Sequence, residues 1–275
     1  MAPNVHPLAS IPFCGTPPLP AEIWQRWVLD PVLLALLAML LVAGWLAMRR
    51  SAGRGPRAAF LGAWGLASAA LVSPLCALSV ALFSARATQH MVLLVIAAPL
   101  LALALPDLLG SHLHDRVQRW LAPPVRALLP ALAFAVLLWA WHVPVLYDAT
   151  FTSDLAYWAM HLSLLATALP LWLQLLQPGQ AGLLPRMLLG FATFMQMGLL
   201  GALLTLSPSL LYEAHVTTTL AWGMDPLADQ QLGGLIMWIP GCSSLLLALL
   251  WSLVRTLREP GELRERAAEP AISRR

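Results

Sequence analysis

The sequence predicts an all-α fold, a polytopic membrane bundle of about seven transmembrane helices with the N-terminus outside and the C-terminus in the cytoplasm. Of its 275 residues, 59% are hydrophobic and only 11% are charged, and the mean hydropathy is +0.74. This composition is far more apolar than that of a soluble domain. Two further observations, the long apolar stretches and the placement of arginine, indicate the number of spans and their direction.

The apolar stretches define the elements in order along the chain, because a helix needs about 20 apolar residues to cross the hydrocarbon core. Seven such stretches lie at residues 29–48, 58–80, 86–105, 124–142, 154–175, 184–206 and 227–255. We therefore divide the chain into an extracytoplasmic N-terminal arm (1–28), one transmembrane helical domain (29–257) and a cytoplasmic C-terminal tail (258–275).

The arginines orient these spans. All sixteen basic residues are arginine, and only Arg26 and Arg86 lie on the side where most acidic residues collect. The other fourteen fall on the opposite side: Arg49, Arg50, Arg54, Arg57, Arg116, Arg119, Arg126, Arg186, Arg255, Arg258, Arg264, Arg266, Arg274 and Arg275. Because arginine accumulates in cytoplasmic loops, this side is predicted to be the cytoplasm. The net charge of +3 is therefore a topology signal and does not indicate a nucleic-acid partner.

The positions of cysteine, proline and glycine predict how the chain packs. The three cysteines, Cys14, Cys76 and Cys242, form no CxxC pair, so we expect no disulfide framework. The proline-rich first twenty residues lack a basic start, which favours a short extended arm over a cleaved signal peptide. The small residues Gly198, Gly201, Gly233 and Gly234 would let helices approach closely.

Three histidines inside or at the ends of spans are the main candidates for chemistry, because an ionisable group in a membrane is costly unless it has a function. His90, His142 and His161 are all expected in the outer half of the bilayer, since successive helices alternate in direction. Imidazole combined with thioether sulfur suits Cu(I). The candidate copper ligands are therefore His90, His142, His161, Met91, Met160 and Met237.

Simpler roles compete with metal binding. The histidines could instead form hydrogen bonds between helices, and methionine is a common apolar filler of cores. His142 could be merely interfacial. The remaining histidines fall in predicted loops or outer segments, where we expect solvated side chains: His6, His112, His114 and His215.

Polar residues at the outer edge have structural explanations. Asp225 followed by proline has the form of a helix N-cap, and Asp229 would favour the dipole of the same helix. Gln230 and Gln231 could line a polar vestibule with Asp229. Arg86 could form an ion pair with Asp148 at the outer face. No nucleotide-binding loop, nucleophile elbow or zinc-protease motif is present in a usable context, so we expect no enzymatic activity.

Three groups of residues carry a resemblance to a known family. They are Gln89–Met91 with Ala97–Leu101, Trp141–Pro144 with Leu146–Ala149, and Asp229–Gly241. Together they resemble the CtaG family of multi-pass membrane proteins associated with cytochrome c oxidase assembly and copper supply. The resemblance covers roughly residues 25 to 257, and the last run, with its polar start and glycine-rich core, is the most specific.

The resemblance implies an assembly factor that delivers or retains copper for the oxidase at the outer face of a bacterial cytoplasmic (inner) membrane. It implies oxidase subunits and periplasmic copper chaperones as partners, besides membrane lipid. Two positions depart from the family pattern. Arg86 stands where family members often carry a second histidine, one turn before His90, and Met160 stands where the residue before His161 is often acidic. A fixed cation at position 86 would disfavour a bound metal cation.

Two alternatives to copper delivery remain open. Histidines on facing helices could ligate haem in a membrane electron-transfer protein. The chain could also be a metal-free scaffold that holds oxidase subunits together through helix packing.

Overall fold

The computed structural model describes residues 12–49, 53–177 and 182–268, and every regular element in these ranges is helical. His6 and the last seven residues of the predicted C-terminal tail lie outside the described residues. The helices are α1 (Pro31–Met48), α2 (Arg54–Val72), α3 (Pro74–Ala81), α4 (Phe83–Met91), α5 (Ala98–Leu121), α6 (Pro124–Trp141), α7 (Pro144–Thr152), α8 (Asp154–Leu176), α9 (Leu183–Leu206) and α10 (Pro226–Ala268). A π-helical segment, Val92–Ala97, joins α4 to α5, and short 3₁₀ turns lie at Pro20–Gln25, Glu213–His215 and Thr219–Trp222.

The all-α, membrane-spanning fold is confirmed. Six helices in the described part of the chain are long and apolar enough to cross a membrane, and the bent pair α2 and α3 raises the number to seven if it forms one span. The orientation of the termini stays a prediction.

The predicted second span is broken at Ser73. The two helices on either side of it are bent by 51°, and Ser73 itself has an extended backbone with ψ 171°. Proline restricts the residue before it to extended conformations and cannot donate a backbone hydrogen bond, so Pro74 accounts for the break. The Ser73 hydroxyl then caps α3 by accepting from the Leu75 N–H.

A second break, at Leu82, separates α3 from α4 and exposes the N-terminus of α4 inside the protein. Asp229 of α10 binds this end: its carboxylate accepts from the backbone N–H groups of Phe83 and Ser84 and from the Ser84 hydroxyl. Its side chain is fully buried. The prediction that Asp229 acts on the dipole of its own helix therefore missed its main contact. The predicted N-cap at Asp225 is confirmed, because its carboxylate accepts hydrogen bonds from the Leu227 and Ala228 N–H groups.

Helices α9 and α10 are the pair that approaches closely at two of these glycines. A Cβ on Gly201 would lie 2.8 Å from the Trp238 Cβ, and one on Gly234 would lie 2.6 Å from the Thr205 backbone nitrogen. Neither position leaves room for a side chain, because the backbone and Cβ atoms of the partner helix occupy it. This packing holds the N-terminal part of α10 against α4 and so fixes one wall of the candidate site.

The N-terminal arm is anchored to the bundle by a disulfide between Cys14 and Cys76. The expectation of no disulfide was wrong, because cysteines that are distant in sequence give no spacing signal and only the fold brings them together. Val28 donates a backbone hydrogen bond to the Val72 carbonyl, and Trp222 donates to the Pro18 carbonyl. Residues 12–28 of the arm are therefore part of the folded structure and include a 3₁₀ turn, in place of a purely extended segment.

Candidate metal centre

Two of the three candidate histidines stack on each other in the middle of the bundle. His90 on α4 and His161 on α8 have ring centroids 4.9 Å apart and an interplanar angle of 23°. His142 lies at the C-terminal end of α6 and lines the same cavity as His90. Helices distant in sequence thus bring the three rings into one region.

The three imidazoles share one hydrogen-bonding arrangement. In each, Nδ1 lies within hydrogen-bonding distance of the carbonyl four residues earlier: 3.0 Å from Arg86 O to His90, 2.6 Å from Leu138 O to His142 and 2.9 Å from Tyr157 O to His161. A carbonyl only accepts, so Nδ1 carries the proton and Nε2 keeps its lone pair. Metal-binding histidines in proteins commonly have this second contact, which fixes the tautomer.

The Nε2 atoms of His90 and His161 are buried and have no hydrogen-bond partner among the described residues. A buried polar atom without a partner is uncommon in a native structure, because it loses its bonds to water without compensation. A ligand that accepts a lone pair, such as a metal ion, would satisfy such an atom.

A cavity of about 30 Å³ lies beside these rings. That exceeds the ~10–15 Å³ needed for one enclosed water molecule. Five of the six predicted ligands line it, namely His90, His142, Met91, Met160 and Met237; His161 stacks on His90 next to it. Among the described residues, no three histidine, cysteine or acidic side chains are grouped for a metal ion. The donors available are therefore imidazoles and thioethers, a set that suits Cu(I) and is poor for hard cations.

Arg86 also lines the cavity, and it is only 2% exposed. Its Nη2 donates to the Thr150 hydroxyl at 2.6 Å, and its guanidinium carbon lies 4.3 Å from the Phe151 ring centroid and 5.1 Å from that of Tyr147. The hypothesis of an outer-face ion pair with Asp148 was wrong, because the guanidinium is turned inward to these rings and to Thr150.

An aromatic cluster that the sequence did not predict lies against Arg86. It is built around His215, which is 1% exposed and whose Nε2 lies 2.6 Å from the Tyr147 hydroxyl. Burial, and to a lesser degree the charge of Arg86, lowers the pKa of His215 to about 3. The expectation of a solvated loop histidine was wrong, and no spacing pattern in the sequence identifies this residue as buried.

The two glutamines at the start of α10 also have structural roles. Gln230 accepts from the Leu211 N–H and donates to the Ser209 carbonyl, while Gln231 donates to the Ser207 carbonyl. They bind the segment that follows α9, so they do not line a polar vestibule as hypothesised. Of the other histidines, His112 and His114 lie within α5, where His112 is exposed and His114 is half-buried.

Tyr157 connects the disulfide to the histidine pair. Its hydroxyl lies 3.4 Å from the Cys14 sulfur and 3.6 Å from the Cys76 sulfur, and its ring centroid lies 4.3 Å from that of His161. Phe13 of the N-terminal arm stacks on the same tyrosine ring at 5.1 Å. The arm therefore covers one side of the candidate site.

Comparison with known proteins gives one match. A family model described as the cytochrome c oxidase caa3 assembly factor (Caa3_CtaG) matches residues 26–259. Neither the curated proteins nor the solved structures contain a match.

Proposed function

The chain belongs to the family of cytochrome c oxidase caa3 assembly factors, and from this premise we propose that it holds Cu(I) transiently for insertion into the oxidase. The observation that carries the proposal is the pair of buried, unpartnered Nε2 atoms on the stacked rings of His90 and His161. The thioethers of Met91, Met160 and Met237 would supply further soft donors at the same cavity.

The proposed role is non-catalytic and acts at the outer face of a bacterial inner membrane. Fourteen of sixteen arginines fall on the side predicted to be cytoplasmic, which leaves the histidine end of the bundle outside. The Cys14–Cys76 disulfide supports this orientation independently, because disulfides persist in the periplasm and are rare in the cytosol. Oxidase subunits, and periplasmic copper chaperones as donors, are the partners that this role requires.

Copper stoichiometry tests the site. Protein purified in a non-ionic detergent is titrated with Cu(I) against a calibrated chelator under an inert atmosphere, beside a His90→Ala, His161→Ala double variant. We expect about one copper per chain in the wild type and none in the double variant. His112→Ala serves as the matched control, since His112 is exposed on α5 and away from the cavity.

Three results would contradict the proposal. Equal copper binding by the wild type and the double variant would exclude these ligands. A Soret band in the purified protein would favour the haem alternative. Normal oxidase assembly in cells that carry the double variant would favour a metal-free scaffold.

A further inference from the structure

Arg86 is a buried cation whose charge no carboxylate balances in the described part of the chain. The ion pair found in the described part of the chain joins Arg26 to Glu22, and both residues are distant in sequence from Arg86. The Asp229 carboxylate accepts hydrogen bonds from the N-terminus of α4, and Asp148 forms no ion pair with Arg86. A buried charge normally requires a partner of opposite charge, because the protein interior solvates a charge much less well than water does.

The contacts that Arg86 does make leave one of its donors unused. The Thr150 hydroxyl and, at 4.0 Å, the Met160 sulfur accept from Nη2. The faces of Phe151 and Tyr147 lie against the guanidinium, which offsets part of the lost hydration. The Nε–H group, however, is buried without a hydrogen-bond partner among the described residues. Since Arg86 lines the cavity, an acceptor placed there could reach this donor.

The cavity limits what the acceptor can be. About 30 Å³ is room for about two water molecules or one small anion, and apart from Arg86, His90 and His142 the lining is mainly aromatic, aliphatic or thioether. Water would satisfy the hydrogen bond but not the charge. A polyatomic anion such as phosphate would require more hydrogen-bond donors than the lining of the cavity offers. A monatomic, weakly hydrated anion meets the charge, the size and the apolar surroundings together.

We propose that this cavity is a binding site for a small monovalent anion of the halide class, held by the Arg86 guanidinium. The second part of the proposal rests on the proposed function: the anion and Cu(I) bind cooperatively. Cu(I) bound at the free Nε2 of His90, beside the cavity, would add a second positive charge close to Arg86, and an anion in the cavity attracts both cations. Arg86 would then favour Cu(I) binding when the anion is present and disfavour Cu(I) binding when the anion is absent.

Chloride binding to the copper-free protein tests the site itself. The ³⁵Cl NMR line of a chloride solution is measured with the full-length protein in a non-ionic detergent, with gluconate used to hold the ionic strength constant. We expect saturable line broadening that bromide displaces. Arg86→Met should abolish it, and Arg126→Met, which removes an exposed arginine beside Trp120, should leave it intact.

A second measurement covers the case in which Arg86→Met fails to fold. The wild-type midpoint of thermal unfolding should rise with chloride and not with gluconate, because a ligand of the native state stabilises it. Broadening that persists in a folded Arg86→Met protein would overturn the proposal. A wild type without saturable broadening and without a chloride-dependent midpoint would overturn it as well.

The coupling to copper is tested separately. Cu(I) affinity is measured in chloride and in gluconate, with the competing chelator calibrated in each salt to correct for copper–chloride complexes. We expect about tenfold tighter binding in chloride, and no such difference in Arg86→Met. Equal affinities would refute the coupling while the NMR result still decides the anion site; no copper binding in either salt would refute the proposed function alone.

Discussion

At the scale of single residues, several buried polar side chains of this protein act on elements distant in sequence. Asp229 belongs to α10 but binds the N-terminus of α4, and His215 follows α9 but bonds to Tyr147 on α7. Both contacts lie beside the candidate cavity, which Phe83 and Tyr147 line, and they hold α4 and α7, the helices that carry His90 and Thr150. Single substitutions at these residues should therefore affect stability more than their positions in the sequence suggest.

Replacing Asp229 tests the capping contact. In Asp229→Asn the charge is lost and one acceptor oxygen becomes a donor that faces backbone N–H groups. We expect a loss of about 1–3 kcal/mol in the free energy of unfolding, measured by denaturation in mixed micelles. Asp225→Asn is the matched control: it keeps an oxygen at an exposed N-cap and should change stability by less than about 1 kcal/mol. Equal effects of the two substitutions would contradict the assigned role.

His215 should make stability depend on pH. Its pKa in the folded protein is about 3, below the ordinary value of 6.5, so the unfolded chain binds more protons between these two values. Stability is thus fully present above about pH 6.5 and is lost as the pH falls towards 3, with a slope of up to about 1.4 kcal/mol per pH unit from this group.

His215→Gln isolates this contribution, because an amide can still bond to the Tyr147 hydroxyl but does not titrate. Unfolding is followed from pH 7 to pH 4 in both proteins. We expect the wild type to lose stability more steeply than the variant. Parallel curves would show that His215 is accessible to protons in the folded state.

At the scale of elements, the breaks between helices position the candidate site as much as the helices themselves do. The break at Ser73 and Pro74 redirects the chain, and the break at Leu82 starts a new helix that carries both Arg86 and His90. The close packing of α9 on α10 then places the start of α10, including Asp229, at the N-terminus of α4. The candidate site depends on this arrangement of short helices.

Gly234→Ala tests the packing of α9 against α10. Its Cβ would lie 2.6 Å from both the backbone nitrogen and the hydroxyl oxygen of Thr205, so the helices must separate. We expect a loss of about 1–3 kcal/mol in unfolding free energy. Gly65→Ala in α2 is the control, since no atom lies within 4 Å of the new Cβ; it should be neutral or stabilise by about 0.5–1 kcal/mol.

At the scale of the whole molecule, the fold separates a histidine-bearing end from an arginine-rich end. His90, His142 and the N-terminal arm with its disulfide lie towards one end of the bundle, and most arginines fall in segments at the other. In a membrane this asymmetry would place the candidate site and most arginines at opposite faces.

The orientation of the chain can be measured with C-terminal fusions. Green fluorescent protein becomes fluorescent in the cytoplasm and stays dark when it is exported unfolded to the periplasm, whereas alkaline phosphatase is active only in the periplasm. We expect a fluorescent fusion and an inactive phosphatase fusion at the C-terminus. The opposite pair of results would reverse the bundle and place the candidate site on the cytoplasmic side.

By itself, the sequence determined the all-α membrane class, the approximate spans, the N-cap at Asp225 and the close approach of helices at glycines. These follow from local composition and from residue types whose chemistry acts within one helix or at one contact. Only the tertiary structure decided the stacking of His90 on His161, the inward turn of Arg86, the burial of His215, the capping of α4 by Asp229 and the pairing of Cys14 with Cys76. Each of these joins residues that are distant along the chain, so no periodicity or spacing encodes them and packing alone brings them together.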